Sequence, residues 1–251
     1  MASVTENALP KVQLIETDGE PLETPWHLAA IVLLIDSIHF HFRDRTNYFA
    51  GGNMFLYFSE EQVRNRDYRG PDFFYVDEVD GRRPRQWWAV WEEDGRYPDV
   101  IMELLSHTTA VLDRTDKKQL YERTFRTPEY FCYEPATEKL EGWRLGRKGR
   151  YQAIRSDKRG WLWCERFQLW VGPWSGKYLD VESVFPRLFD REGKLIFTAA
   201  EGARQQAETE RQRAETERQR AETEKQRADM AEAQLALLKA QVANLEGQVL
   251  P

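Results

Sequence analysis

Apolar positions fall into two regimes along the chain. Up to about residue 200 they come in short dense runs broken by Pro, Gly and charged turns. Beyond it they thin to one position in every three or four. In the first regime, Pro25 opens the run Trp26 to Ile35, which predicts a buried helix reaching roughly to Phe42, because proline suits a first helical turn. Ala50 to Asn53 reads as a turn. Met54 to Phe58 and Asp72 to Val76 read as strands from their aromatic and apolar content. Residues 77–96 are polar and Trp-rich, as in an insertion. Val100 to Leu105 is almost wholly apolar, the pattern of a strand buried on both faces, with a single charge, Glu103, in its middle.

Ser106 to Thr109 supplies N-capping side chains for a helix over 110–125. Thr127-Pro128 ends that helix, and Glu129 to Tyr133 forms the next strand. Strand, helix, strand in this order suggests a crossover unit. Further strands are expected at Lys139 to Trp143, Tyr151 to Ile154, Trp161 to Leu169 and Leu195 to Phe197. The pattern as a whole is α/β: a mixed sheet flanked by helices over residues 25–197, after an N-terminal arm at 1–24.

Residues 198–251 follow a different rule. The motif Ala-Glu-Thr-Glu-Arg-Gln-Arg starts at Ala207, returns at Ala214 and, with Lys for one Arg, at Ala221. Leu235, Leu238, Val242, Leu245 and Val249 continue the seven-residue register. Ala or Glu occupies the seam before them, as at Glu210, Glu217 and Glu224. This is a long heptad helix with a polar first half and an apolar second half. Glu and Arg three apart, such as Glu215 and Arg218, support it locally. Two readings stand: a solvated single helix, or a coiled coil limited to a weak homodimer by the few good seam residues.

Composition sharpens the division. All nine Trp lie between Trp26 and Trp174, and the last fifty residues hold no aromatic. A net charge of -6 argues mildly against a nucleic-acid binder, although Arg82 to Arg85 and Arg144 to Arg150 are locally basic. Cys132 and Cys164 lie too far apart for a zinc motif, and they read as buried reduced thiols of a cytoplasmic protein. No signal peptide pattern opens the chain, and Leu28 to Ile35 is too short to span a membrane.

A carboxylate inside a buried strand must be paired, protonated or metal-bound. Glu103 is such a residue, and Asp72 begins the preceding strand. Lys117 follows on the next helix, four residues after Asp113 and on its face. Two acids and an ammonium can hold Mg²⁺ and activate water, or they can form a structural ion network. Both readings stand on the residues alone. Asp99 shares the strand face of Glu103 and is either a further acid or part of the turn. His27, His39, His41 and His107 are too scattered for a triad. Trp87, Trp88 and Trp91 read as a packed flap or a base-stacking surface.

The succession Gly70-Pro71-Asp72, Pro98-Asp99 through Glu103-Leu104-Leu105-Ser106, Asp113 through Lys117 to Tyr121, and Pro128-Glu129-Tyr130-Phe131 resembles a bacterial family of restriction endonuclease-like proteins of the PD-(D/E)XK superfamily. Gln86 to Gly95 and the Ala-Glu-x-Glu-Arg-Gln-Arg tail resemble it too. The resemblance implies a restriction-endonuclease-like fold, with Asp72 and Glu103 as ligands of Mg²⁺ or Mn²⁺ and Lys117 as the catalytic lysine. Asp113 then holds or screens Lys117. The usual superfamily lysine lies two residues after the glutamate, where this chain has Leu105, so Lys117 stands in from the following helix. The expected function is metal-dependent hydrolysis of DNA phosphodiester bonds. The alternative is a catalytically silent protein of the same fold that binds or assembles through its tail.

Overall fold

The computed structural model describes residues 24–64, 70–106 and 110–247. The chain divides into two units, one ending at Ala199 and the other starting at Ala200. Within the first unit, in chain order, lie α1 (Pro25–His41), β1 (Tyr48–Gly51), β2 (Leu56–Tyr57), α2 (Glu60–Arg64), β3 (Phe73–Asp77), β4 (Trp88–Ala89), β5 (Val100–Leu104), α3 (residues 110–125), β6 (Glu129–Glu134), β7 (Lys139–Leu145), β8 (Tyr151–Ala153), β9 (Leu162–Cys164), β10 (Leu169–Tyr178) and β11 (Val181–Phe189). A six-stranded mixed sheet runs β1-β3-β5-β6-β7-β8; β9, β10 and β11 form a second, antiparallel sheet, and β2 and β4 a short parallel pair.

Alternation along the central strands fixes the layers. Phe73, Tyr75, Val100, Met102, Leu104, Phe131 and Tyr133 face α1 and the inner side of the β9–β11 sheet in one apolar core. Phe74, Val76, Ile101, Leu105, Tyr130 and Cys132 face the other way, toward α3 and the β2–β4 pair. Helix α1 is apolar almost all round because it is enclosed, and its start is fixed locally. Pro25 occupies the first turn, and the Thr24 hydroxyl accepts a hydrogen bond from the His27 amide at 3.3 Å. Between the parallel strands β5 and β6 the chain crosses over through α3, as the strand–helix–strand order suggests.

Several expectations are corrected. Ala50 and Gly51 belong to β1 rather than to a turn, while the strand expected at 54–58 is reduced to Leu56 and Tyr57. The single strand expected over 161–169 is a hairpin, β9 turning into β10, and Leu195 forms only an isolated bridge to Phe189. The β10–β11 hairpin was not foreseen. Pro173 and Pro186 sit opposite each other within it, and its turn residues Leu179 and Asp180 take positive φ without the Asn-Gly or Asp-Gly that usually marks such a turn. The Trp-rich segment is packed: Trp88 is fully buried, and Trp87 and Trp91 lie against Tyr57, Val63 and Ala89. The expected arm at 1–24 lies, except for Thr24, outside the described residues, as does His107.

The second unit carries the helix α4 (Ala199–Gly247). Its repeat is visible in its bonding: the hydroxyls of Thr209, Thr216 and Thr223 each donate to the carbonyl four residues back at 2.8 Å. Glu215 takes Gln219 as its partner at 3.2 Å, in place of the expected Arg218. Met230, Leu235, Leu237, Leu238 and Val242 are exposed.

Candidate active site

Strand register brings the first two acids together. β3 and β5 pair antiparallel with Phe73 opposite Met102, so the next pair outward is Asp72 opposite Glu103, and directly opposed residues share a face. Glu103 takes the place of an apolar residue on the face that meets α3, and it is fully buried. Asp72 stands at the rim and keeps part of its surface open. One of its oxygens, Oδ2, accepts from the Leu104 amide at 2.7 Å, and its own amide lies 3.4 Å from Glu103 Oε2. Backbone packing fixes this rim. A side chain at Gly52 would bring a carbon within 2.1 Å of the Asp72 carbonyl oxygen, and the next amide, of Asn53, donates to the Pro71 carbonyl at 3.1 Å.

Helix α3 supplies the rest. Asp113–Lys117 and Tyr121–Phe125 form π-helical turns, wider than α-helical ones and frequent at functional sites. Widening the turn brings residues four apart closer to one line, here Asp113, Lys117 and Tyr121. The ammonium of Lys117 pairs with Glu103 Oε2 at 3.2 Å and Asp113 Oδ1 at 2.7 Å, and the Tyr121 hydroxyl donates to Glu103 Oε1 at 2.8 Å.

Electrostatics follow from this geometry. Burial pushes the Glu103 carboxyl up to about 8; Lys117 opposes the rise, and Asp72 and Asp113 add to it. Burial also raises Asp72, to about 6, against the pull of Lys117 and the Leu104 amide. For Lys117 burial favours the neutral amine, but Glu103, Asp113 and Asp72 reverse that and hold the ammonium above its ordinary value. Tyr121 is driven well above the usual phenol range by burial and by Glu103, so it remains a donor.

Asp72, Glu103, Lys117 and Asp113 thus meet in one cluster. Asp99 does not join it: four residues of extended strand span about 13 Å, and its carboxylate instead accepts from the Asp77 amide at 2.9 Å and faces Arg166 at 3.4 Å. Lys118 points away and lies over the Trp143 ring at 3.8 Å. His27 is a helix-start residue, with Nδ1 2.8 Å from Thr24 Oγ1 and Nε2 3.2 Å from the Leu104 carbonyl. Tyr121 was missed as a site residue, although its spacing of four from Lys117, itself four from Asp113, was a usable signal. Among the described residues no three His, Cys, Asp or Glu side chains form a ready metal cage.

A mixed sheet flanked by helices, with an acid pair at the rim of adjacent strands and a lysine beside it, is the arrangement that the resemblance to restriction-endonuclease-like proteins implies. The chain belongs to the Uma2 family, described as "Putative restriction endonuclease", whose model matches residues 2–172. It is also similar to a crystal structure from Anabaena variabilis ATCC 29413 described as "a putative nuclease belonging to DUF820", at 13% identity and a TM-score of 0.42, covering 61% of this chain and 81% of that one. No curated protein sequence matches it. No helix among the described residues is long and apolar enough to cross a membrane.

Proposed function

We propose that the chain is a divalent-metal-dependent endonuclease acting on DNA, with Asp72 and Glu103 holding Mg²⁺ or Mn²⁺ and Lys117 beside the reacting phosphate. One observation carries this reading: Glu103 and Asp113 share a single ammonium, and a third acid, Asp72, stands directly opposite Glu103 in the strand register. Fully ionised, the cluster has two negative charges in excess, the charge of one divalent cation. Mg²⁺ needs only one or two protein carboxylates, since it keeps several waters, so the acid pair suffices without a closed cage. Such a cation supplies charge neutralisation at the phosphate and acidifies a water. Tyr121 fixes Glu103 through Oε1 and leaves Oε2 turned toward Asp72 and Lys117. Lys117, held charged, is placed to orient water or balance charge developing on the phosphate.

Calorimetric titration of Mn²⁺ and Mg²⁺, alongside cleavage of supercoiled plasmid, tests this. Asp72→Ala and Glu103→Ala should lose metal binding and cleavage, and Lys117→Ala should lose cleavage while still taking up metal. A folded parent that binds neither ion and cuts nothing overturns the reading. The second reading, a silent nuclease fold, is favoured by one feature: Lys117 already has two carboxylate partners, as in a closed ion network. That reading assigns the work to α4, through a weak homodimer along Leu235, Leu238 and Val242, which sedimentation of the full chain and of a Leu235→Ser/Leu238→Ser variant would test.

A further inference from the structure

The outer face of the β9–β11 sheet carries tryptophans that neither the catalytic cluster nor the core requires. Leu162, Cys164, Leu169 and Val171 turn into the core, so Trp163 and Trp170 turn outward. The two are directly opposed in register and meet edge to face at 5.1 Å. Phe189 lies opposite Trp170 on the next strand, under the Trp161 ring, which stacks on it at 3.8 Å. Gly172 makes room for this layer, since a side chain there would meet the Trp161 ring at 2.4 Å. A strip of rings therefore runs across all three strands, with Trp163 and Trp170 at its open end.

Trp163 is the wall between two clefts. One, of about 300 Å³, is bounded by Trp163, Trp170 and Arg191; the other, of about 530 Å³, is lined by Trp163, Arg144 and Arg166 together with Glu129 and Glu165. Arg144 is committed to Glu129 and Glu165, and so neutralises the carboxylates of that cleft. Among the described residues the Arg166 guanidinium has a 3.4 Å contact to Asp99, and Arg191 lies 5.5 Å from the Trp163 ring and donates to Gln168, a neutral partner. Partly open indole rings with cations at the mouths of both flanking clefts suit flat, unpaired bases joined by phosphates. A duplex presents no base faces, so it does not fit.

The geometry points to a single-stranded nucleic-acid site on this face, with consecutive bases straddling Trp163 and phosphates reaching Arg191 and Arg166. The site is separate from the acid cluster. Its sheet packs on the α1 side of the six-stranded sheet, whereas Glu103 faces α3 on the other side. Binding here is therefore independent of metal and of cleavage.

Fluorescence anisotropy of a labelled oligothymidine, titrated with the full-length protein in EDTA, tests the site without any contribution from catalysis. Trp163→Ala should weaken binding about tenfold, as should Trp170→Ala, while Trp163→Phe should retain most of the affinity because a flat ring remains. Arg191→Ala should reduce the slope of log affinity against log salt by about one. The matched duplex should bind more weakly than the single strand. The site is overturned if oligothymidine does not bind, if folded Trp163→Ala/Trp170→Ala protein binds as well as the parent, or if the duplex competes equally.

Discussion

Two glutamates buried in neighbouring strands of one sheet have opposite surroundings. Glu129, on β6, is saturated: it accepts from Arg144 through two nitrogens, from the amides of Glu165 and Arg166, and from the Cys164 thiol. Those bonds tie the six-stranded sheet to the β9–β11 sheet. Glu103, on β5, has one hydroxyl donor, a long 3.4 Å contact from the Asp72 amide and a lysine shared with Asp113, and the Asp72 carboxyl lies opposite it in register. Burial is the same for both, at 1% and 0% exposure. A buried carboxylate is therefore not informative by itself; the balance of donors and charges around it separates a staple from a site able to accept a cation.

The largest expected effect tests that difference directly. Glu129→Ala leaves Arg144 without its buried partner and removes a link between sheets, so it should cost about 3–5 kcal/mol of stability, read by urea unfolding. Glu103→Gln removes a carboxyl that shares its one ammonium with Asp113 and whose ionisation burial opposes. It should leave stability unchanged or raised while ending metal uptake and cleavage. Equal stability losses in the two variants would remove the distinction.

Next comes pH. The folded carboxyls of Asp72 and Glu103 titrate above their unfolded values, so the unfolded chain gives up protons first. Between about pH 4.5 and pH 8 the unfolded state binds fewer protons than the folded one. The contribution of these two groups is then fully present below the unfolded values, is lost as pH rises through this window, and levels off above it. The metal-free protein should lose on the order of a few kcal/mol across the window, and Glu103→Gln should flatten most of the slope. Mn²⁺ should reverse the trend, because binding displaces the proton. Thermal melts with and without the ion show which sign holds, and because His39 and His41, lowered by burial, titrate with the opposite sign, the comparison is with Glu103→Gln: the same pH slope in parent and variant would sink the assignment.

Smaller still is Tyr121→Phe. Removing the hydroxyl leaves Glu103 Oε1 without its donor, so stability should fall by about 1–2 kcal/mol, and metal affinity by about tenfold, the usual weight of a group that orients a ligand. Unchanged metal affinity in calorimetry would reduce Tyr121 to a packing residue.

The strands that build the site were legible because β3 and β5 are buried on both faces and read as near-continuous apolar runs with a charge at one end or in the middle. The fourfold spacing of Asp113 and Lys117 was legible for the same local reason. The β10–β11 hairpin was not, because Pro and Gly within the strands and Leu-Asp at the turn hide it. Asp99 was half legible: the period of two places it on the face of Glu103, but periodicity carries no distance, and its partners come from Asp77 and from Arg166, residues distant in sequence. Likewise, nothing in the local sequence distinguishes Glu129 from Glu103, since the five donors to Glu129 arrive from β7, from the end of β9 and from the β9–β10 turn.

Lys118 sets the smallest expected effect and the sharpest control. It adjoins Lys117 in sequence, but one residue turns a helix by about 100°, and its ammonium lies over the Trp143 ring while that of Lys117 pairs with Asp113. Burial lowers its pKa, whereas Lys117 is held above its ordinary value by three carboxylates. Lys118→Ala should therefore cost only about 0.5–1 kcal/mol of cation–π contact and leave metal uptake and plasmid cleavage intact. Lys117→Ala should keep the fold and lose cleavage. If the two variants lose cleavage alike, the lysine function is not set by the line of Asp113, Lys117 and Tyr121 along the π-helical turns. If neither loses it, the ammonium beside Glu103 belongs to an ion network and not to the reaction.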